Sequence, residues 1–333
     1  MSQKTLTQHA PQNSKISRGF SHWKSPGFRL PRLPWRLLRR MCADCTRGVA
    51  PAPHKPDPAA WGDGGLTAAW LGHATVLINF YGVNILTDPV FGARVGLRVP
   101  PFTLGPKRHV APALKINELP RIDLVLLTHA HMDHFDLPSL RRIPGAPAVV
   151  TAKNTEDLLA GMRFGKIHEL HWGETVEIAT PRGAVNVSAF EVRHWGARMQ
   201  HDTHRSYNGY VVSRNGRRVC VTGDTALTPL FARLRDGGPI DLMLAPIGAY
   251  QPWIANHCTP EQAVEMANDA GAKYIMPIHH QTFKLSWEPM EEPIARFQQA
   301  LAAEPQRIAL TQIGQTFTLP DQDPKISAAA FSR

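Results

Sequence analysis

Residues Ile122 to Thr128, IDLVLLT, form a nearly continuous apolar run that leads straight into HAHMDHFD, where three histidines and two aspartates fall within eight positions. A short apolar run of this kind reads as a strand covered on both faces, which requires a sheet buried between other layers. The imidazoles and carboxylates behind it cannot share that burial unpaired. They belong at the strand's end, where the chain turns out of the sheet.

His129 and His131 are two apart and share one side if the extended geometry continues. Asp133 and His134 then come from the turn beyond. Neutral imidazole nitrogens and a carboxylate suit divalent zinc, and the spacing is too tight for four ligands on one ion. Two metals is the economical reading. A lone histidine would be read as an ordinary core or surface residue, but HxHxDH at a strand end outweighs that reading. Asp136 stands just ahead of LPSLRRI, where Pro138 fits a first helical turn, so it is expected to cap a helix and not to bind metal.

The rest of the chain supplies a setting. LTAAWL, ATVLINF and VNILTD, broken by Gly72, His73 and Gly82, read as a β-meander opening near Leu66. AVVTA, VNVSAFEV, YNGYVVS, RRVCVTG and IDLMLAPI are further strands, with helices expected at Thr155–Arg163, Pro229–Arg235, Pro260–Ala270 and Met290–Ala303. The pattern predicts an α/β fold of two mixed β-sheets with helices outside and sites at strand ends. Three later strand ends offer more ligands: His194 in FEVRHW, Asp224 in VCVTGDT and His279 in YIMPIHH. Alone, Asp224 reads as turn chemistry. Among the other candidates it reads as a bridge between two cations through its two oxygens.

Charge divides the chain. Of the formal +10, residues 1–47 carry +9, with ten Lys and Arg against Asp44 alone, which leaves the remainder at +1. We therefore expect a basic, flexible tail and Pro/Gly-rich linker over 1–65, a catalytic body over 66–320 and a short flexible tail over 321–333. The basic segment fits an anchor on anionic lipid, a solvated linker or an organelle transit peptide. A body of +1 lacks the basic surface expected of a nuclease. No apolar run reaches the ~18–20 residues of a membrane span, so the protein is expected to be soluble and cytoplasmic, with peripheral membrane contact. Four cysteines are too few for a disulfide framework in a chain of this length and suit a reducing compartment. Cys42 and Cys45 form a CxxC, but Cys220 and Cys258 are isolated, which argues against a structural zinc site.

THAHMDH, HW, TGDT and IHH, in that order, resemble the metallo-β-lactamase superfamily, whose fold is an αβ/βα sandwich. WLGHATVLI, ILTDPVF, LGPKRH, ELPRIDLVLLTHAHMDHFD, APIGAY and TPEQAV are similar to the N-acylphosphatidylethanolamine phospholipase D group and its bacterial relatives, across about residues 66–320. The resemblance implies that His129, His131 and His194 hold one zinc, that Asp133, His134 and His279 hold a second, and that Asp224 lies between them. His280 competes with His279; the family pattern favours His279. It also implies that His257 lies near the substrate's phosphate, as against a surface-loop histidine. Asp88 and His73 would orient ligand imidazoles or play a structural part.

The resemblance implies hydrolysis by a hydroxide held between two zinc ions, with Asp133 or a bound water managing the leaving group's proton. The substrate would be an N-acylated phosphatidylethanolamine or another small phosphodiester, and the partners an anionic membrane through residues 1–47 and a second copy in a homodimer. QPWIANH is shorter than its family counterpart, and SYNGY stands where the family tends to carry tryptophan and glycine; both should border the pocket. The same ligand set serves lactonases and other ester or amide hydrolases. A non-enzymatic membrane or partner-binding module is the remaining alternative, and seven metal-ligand candidates weigh against it.

Overall fold

The structure, a computed structural model, describes residue 44 and residues 46–320. The basic stretch before residue 44, the CxxC cysteines and the expected C-terminal tail lie outside the described residues. The chain opens with β1 (Leu66–Gly72), β2 (Thr75–Phe80) and β3 (Val83–Thr87), followed by a separate hairpin of β4 (Leu97–Val99) and β5 (Phe102–Leu104). Next come β6 (Leu124–Leu127), the one-turn helix α1 (Leu137–Leu140), β7 (Ala148–Ala152), β8 (Ile167–Leu170), β9 (Thr175–Thr180) and β10 (Gly183–Phe190). The chain continues through β11 (Gly209–Arg214), β12 (Arg217–Val221), β13 (Ile240–Pro246), α2 (Pro260–Asp269), β14 (Ala272–Ile278), α3 (Glu292–Ala300) and β15 (Thr316–Thr318).

Two mixed sheets result. The first has seven strands in the order β15-β1-β2-β3-β6-β7-β8, antiparallel through β3 and parallel from β3 onward. The second has six, ordered β14-β13-β12-β11-β10-β9, with β12, β13 and β14 parallel and the remainder antiparallel. Every residue of β1, β2, β3, β6 and β13 is buried, which is what apolar runs without alternation require. Leu77, Ile85 and Val125 of the first sheet join Val187, Val212 and Leu244 of the second in one core. Each such side chain contributes about 1.5–3 kcal/mol of burial.

The second sheet's outer face, through Val211, Cys220, Met243 and Ile275, packs under Ala263, Met266 and Phe297 of α2 and α3. The first sheet has a thinner cover, in which Ile116, Leu140 and Leu159 of short helical turns join its cluster. This is the expected two-sheet sandwich with outer helices. Among the described residues no helix is long and apolar enough to cross a membrane.

Two of the four expected helices form as α2 and α3, and Thr259 and Gln262 close a capping box at the start of α2. The other two are 3-10 turns. Glu156–Leu159 replaces the helix expected over Thr155–Arg163: the Glu169 carboxylate caps its start through the Thr155 and Glu156 N–H groups at 2.7 and 2.8 Å, and the chain leaves helical backbone at Ala160 (ψ 131°) and Gly161 (φ 74°). Over Pro229–Gly237 the Arg218 guanidinium donates to the carbonyls of Leu234 and Gly238, which holds the turn in its tighter form. The stretch read as a linker ahead of Leu66 runs against the body where it is described: Ala50 bridges Val110, and His54 N–H donates to Ile313 O at 3.3 Å.

Candidate metal centre

The ends of strands from both sheets converge on one point. His73 follows β1, Asp88 follows β3, and residues 129–134 follow β6; His194, Asp224 and His279 follow β10, β12 and β14. Tyr210 of β11 ties the sheets together beneath this point by donating to Leu127 O of β6 at 3.0 Å. His73 (φ 53°), Asp88 (φ 33°) and His279 (φ 62°) all occupy left-handed backbone conformations. Such strain costs on the order of 1–3 kcal/mol per residue and persists where the surroundings over-determine it. Gly223, just before Asp224, also has a positive φ of 61°, and a Cβ there would lie 2.9 Å from the Thr128 side chain.

Two groups of donor atoms face each other. In the first, His131 Nδ1 lies 2.9 Å from His129 Nε2 and 3.3 Å from His194 Nε2. In the second, His134 Nε2 and His279 Nε2 lie 3.8 and 3.4 Å from Asp133 Oδ2. Asp224 Oδ2 sits between them, 3.1 and 3.2 Å from the nitrogens of His134 and His279, and 4.0 and 3.9 Å from those of His129 and His194. A single oxygen therefore faces both groups, where the sequence suggested one oxygen for each. Asp224 Oδ1 is buried without a hydrogen-bond partner.

The imidazoles are held from behind. Asp88 Oδ1 accepts from Thr128 N at 2.8 Å, and its Oδ2 accepts from Thr128 Oγ1 at 2.7 Å and from His134 Nδ1 at 2.8 Å. With its proton given to Asp88, Thr128 Oγ1 is an acceptor for His129 Nδ1, 3.0 Å away. His194 Nδ1 donates to Asn256 O at 2.8 Å. In each case Nδ1 carries the hydrogen, and the Nε2 lone pair is turned inward.

Charge within the site is uneven. Burial pushes His129 and His194 well below their ordinary range, and it lowers His131 to about 4. Burial also opposes charge on His134 and His279, yet Asp224 and Asp133 prevail, raising His134 well above its usual value and His279 to about 9. Asp133 and Asp224 resist burial through the surrounding histidines, His134 foremost, and stay well below the carboxylate range.

The donors fit a metal ion. His134 Nε2, His279 Nε2 and Asp224 Oδ1 are buried and have no hydrogen-bond partner, a costly state for polar atoms unless a cation collects them. Four sets of atoms within 4.8 Å of one another could each hold an ion: His73, Asp133, His134 and His279; His129, His131 and His194; His129, His134 and Asp224; His194, Asp224 and His257.

All seven residues picked from sequence as ligands are brought together. His73, expected to orient a ligand or serve structure, lies nearer than that: its Nε2 is 3.0 Å from Asp133 Oδ2 within the first of those sets. It sits directly behind a β-bulge in β1, with no neighbouring ligand residue to signal it. His257 is 7 % exposed, so it is not a surface-loop histidine, and its Nδ1 lies 3.8 Å from Asp224 Oδ2. His280 points away, stacked on Trp70 at 4.5 Å, and belongs to none of the four sets. Asp136 caps α1 by accepting from Ser139 N at 3.1 Å.

A cavity of about 160 Å³ opens over the groups, lined by His131, Asp133, Asp224, His257, Trp195, Ala249, Trp253 and Leu285. The QPWIANH segment borders it through Trp253 and His257, as expected. SYNGY does not border it: Tyr207 stands edge-on to His194 at 6.3 Å, and Asn208 is turned inward to Leu170 O at 2.9 Å. The backbone bridge between His129 and Tyr207 fixes this register.

Comparison with known proteins agrees with this geometry. Residues 83–280 match the β-lactamase superfamily domain. An uncharacterised protein of Mycobacterium tuberculosis is 31% identical over 286 residues, which cover 83% of this chain and 74% of that protein. The N-acyl-phosphatidylethanolamine-hydrolyzing phospholipase D 1 of Caenorhabditis elegans is 32% identical over 239 residues, covering 67% of this chain and 66% of the worm protein. Among solved structures, a metallo hydrolase from Ignicoccus hospitalis superposes with a TM-score of 0.58 at 18% identity, over 77% of this chain and 99% of that one.

Proposed function

The chain belongs to the metallo-β-lactamase superfamily and is a metal-dependent hydrolase; from this premise we propose that it cleaves phosphodiesters of the N-acylphosphatidylethanolamine class, releasing a phosphatidic acid and an N-acylethanolamine. The observation that carries the reading is the cavity, where metal-capable groups form the floor and Trp195, Trp253 and Leu285 stand among its walls. At about 160 Å³ it is well below the ~300–1,000 Å³ of a pocket that encloses a whole drug-sized ligand, which suits a headgroup phosphate and a few carbons. The acyl chains would stay outside, where Trp253, Ile254 and Trp287 are 39%, 48% and 74% exposed. The activity for which the worm relative is named and the shared motifs support the same substrate class.

In this reading His129, His131 and His194 would hold one zinc and Asp133, His134 and His279 a second, with Asp224 a ligand available to either. Zinc bound here would lower the pKa of a coordinated water to roughly 7 and polarise a phosphoryl oxygen. The protein's own residues set the remaining conditions. Asp88, Thr128 and Asn256 hold the Nδ1 atoms of His134, His129 and His194, so that each Nε2 faces the site. Asp133 stays ionised, so it can accept a proton but has none to give. It is also more open than Asp224, with 18% of its side chain exposed against 2%. His257, buried on the wall with an unpartnered Nδ1, would contact a phosphoryl or leaving-group oxygen in this reading.

The test is a panel of N-acylphosphatidylethanolamine, a lactone and RNA, assayed with metal-loaded and metal-stripped protein, beside Asp224→Asn. We expect two metal equivalents, preference for the phosphodiester lipid, and loss of both metal and turnover in the variant. Full turnover by metal-free protein would overturn the mechanism, and preference for the lactone would overturn the substrate.

A further inference from the structure

The β4–β5 hairpin stands apart from both sheets, and its apolar side chains face outward. Leu97 pairs with Leu104 and Val99 with Phe102, so all four share one face; they are 45%, 38%, 46% and 68% exposed. Pro100 and Pro101 form the tip and bring no N–H donor to desolvate. At the base Gly96 and Gly105, with φ of 131° and 153°, lie against the backbone carbonyls of Leu104 and Val95, where a Cβ has no space. Val95 then packs with Val90, Phe283 and Leu285, and Leu285 lines the cavity above the metal-capable groups. The apolar face thus rises from the rim of the site.

Its neighbourhood in the chain is basic. Between Asp88 and Glu118 the chain carries Arg94, Arg98, Lys107, Arg108 and Lys115 and no acid; Arg98 and Lys115 are exposed, while Arg108 is buried and Arg94 and Lys107 lie against Asp44. Residues 1–43 hold nine Lys and Arg and no acid. They enter the described fold at the hairpin's foot, where Asp44 accepts from Lys107 N at 3.1 Å and Arg47 donates to the carbonyls of Lys107 and Arg108 at 2.8 and 2.9 Å.

We propose that this face is a docking surface for an anionic lipid bilayer, with Leu97, Val99, Phe102 and Leu104 entering the acyl boundary while the exposed Arg98 of the same hairpin meets the headgroups. Stable attachment commonly takes two such signals, one apolar and one basic. Two other occupants fit less well. Four side chains fall far short of the ~20–30 residues a side of a stable dimer. The chain's own N-terminal segment would bring nine positive charges onto a hairpin that is already basic. The inference goes beyond the substrate reading, and its test uses no N-acylated lipid, so each can fail separately.

The metal-loaded full chain is sedimented with vesicles of phosphatidylcholine alone or with phosphatidylglycerol. We expect binding to the phosphatidylglycerol vesicles, weaker binding to phosphatidylcholine alone, and a loss of about tenfold in partitioning for the Val99→Ser/Phe102→Ser variant at unchanged Tm. Phe102→Leu should keep its binding. The proposal fails if the wild type binds neither vesicle or if the double variant partitions like the wild type. A wild-type dimer that the variant converts to monomer, without vesicle binding, would assign the face to a second copy. A lower Tm with unchanged vesicle binding would assign it to the chain's own N-terminal segment.

Discussion

Replacing Asp88 by Asn changes one oxygen to an amide nitrogen in a side chain that is 1% exposed, and the hydrogen-bond relay around it dictates the consequences. Asp88 accepts three hydrogen bonds, at 2.8 Å from Thr128 N, 2.7 Å from Thr128 Oγ1 and 2.8 Å from His134 Nδ1. If the Asn oxygen keeps Thr128 N, its NH2 meets two donors. Thr128 Oγ1 must then accept from the amide and turn its own proton toward His129 Nδ1. His129 is driven to the Nε2–H tautomer, and that hydrogen points at the site. His134 is pressed the same way.

One substitution therefore disables an inward lone pair in each donor group. The reverse rotamer leaves Thr128 N–H unsatisfied, at a cost of about 1–3 kcal/mol. Removing a hydrogen bond that orients a ligand imidazole typically weakens metal affinity by about 10–100-fold, or roughly 1.4–2.8 kcal/mol. We expect losses of that size at both groups, larger on the His134 side because its contact with Asp88 is direct. Competition against a chromophoric chelator measures the affinities, and the Tm of stripped protein measures the folding cost. An Asn variant with unaltered affinities and unaltered stripped Tm would refute the relay. Weakening confined to one group would refute its reach to His129.

The site makes two further predictions. His279→Ala should lose metal, while His280→Phe should retain it, because His280 stacks on Trp70 and belongs to none of the donor sets that include His279 or its neighbours; metal analysis of the two purified variants decides which histidine is the ligand. Gly223→Ala puts a Cβ at positive φ, 2.9 Å from the Thr128 side chain. It should cost about 1–3 kcal/mol in denaturant unfolding and weaken metal binding by shifting Asp224 and Thr128, and an alanine variant that loses neither would show that the turn can relax.

Legibility in the sequence depended on the range over which each feature is determined. His129 to His134 were legible because a strand and its turn present them consecutively. His194, Asp224 and His279 were legible because each closes an apolar run. His73 was undervalued, since its approach to Asp133 depends on a bulge between Trp70 and Gly72 that carries no periodic mark. SYNGY was misplaced because its facing is set by pairing with His129, in another sheet. β15 is three residues long and pairs with β1 from the other end of the body, so no local pattern announces it. β9 alternates weakly and is mostly exposed at a sheet edge. The hairpin's alternating Leu, Val and Phe would ordinarily read as a face turned inward, and here the structure turns it out.

The converging strand ends bear on how the protein comes apart. His129, His131, Asp133 and His134 belong to the first sheet, while His194, Asp224 and His279 belong to the second. A cation shared across that boundary is a cross-link between the halves of the sandwich, closing loops of 65 residues from His129 to His194, 90 from His134 to Asp224 and 145 from His134 to His279. In the chain-entropy picture a covalent tie of that span removes about 4–5 kcal/mol from the unfolded ensemble. A bound ion adds its own linkage as long as unfolding releases it. Parting the two sheets and emptying the site then become a single event, and the slowest-exchanging amides should be those of β6 and β12, the strands on either side of the seam.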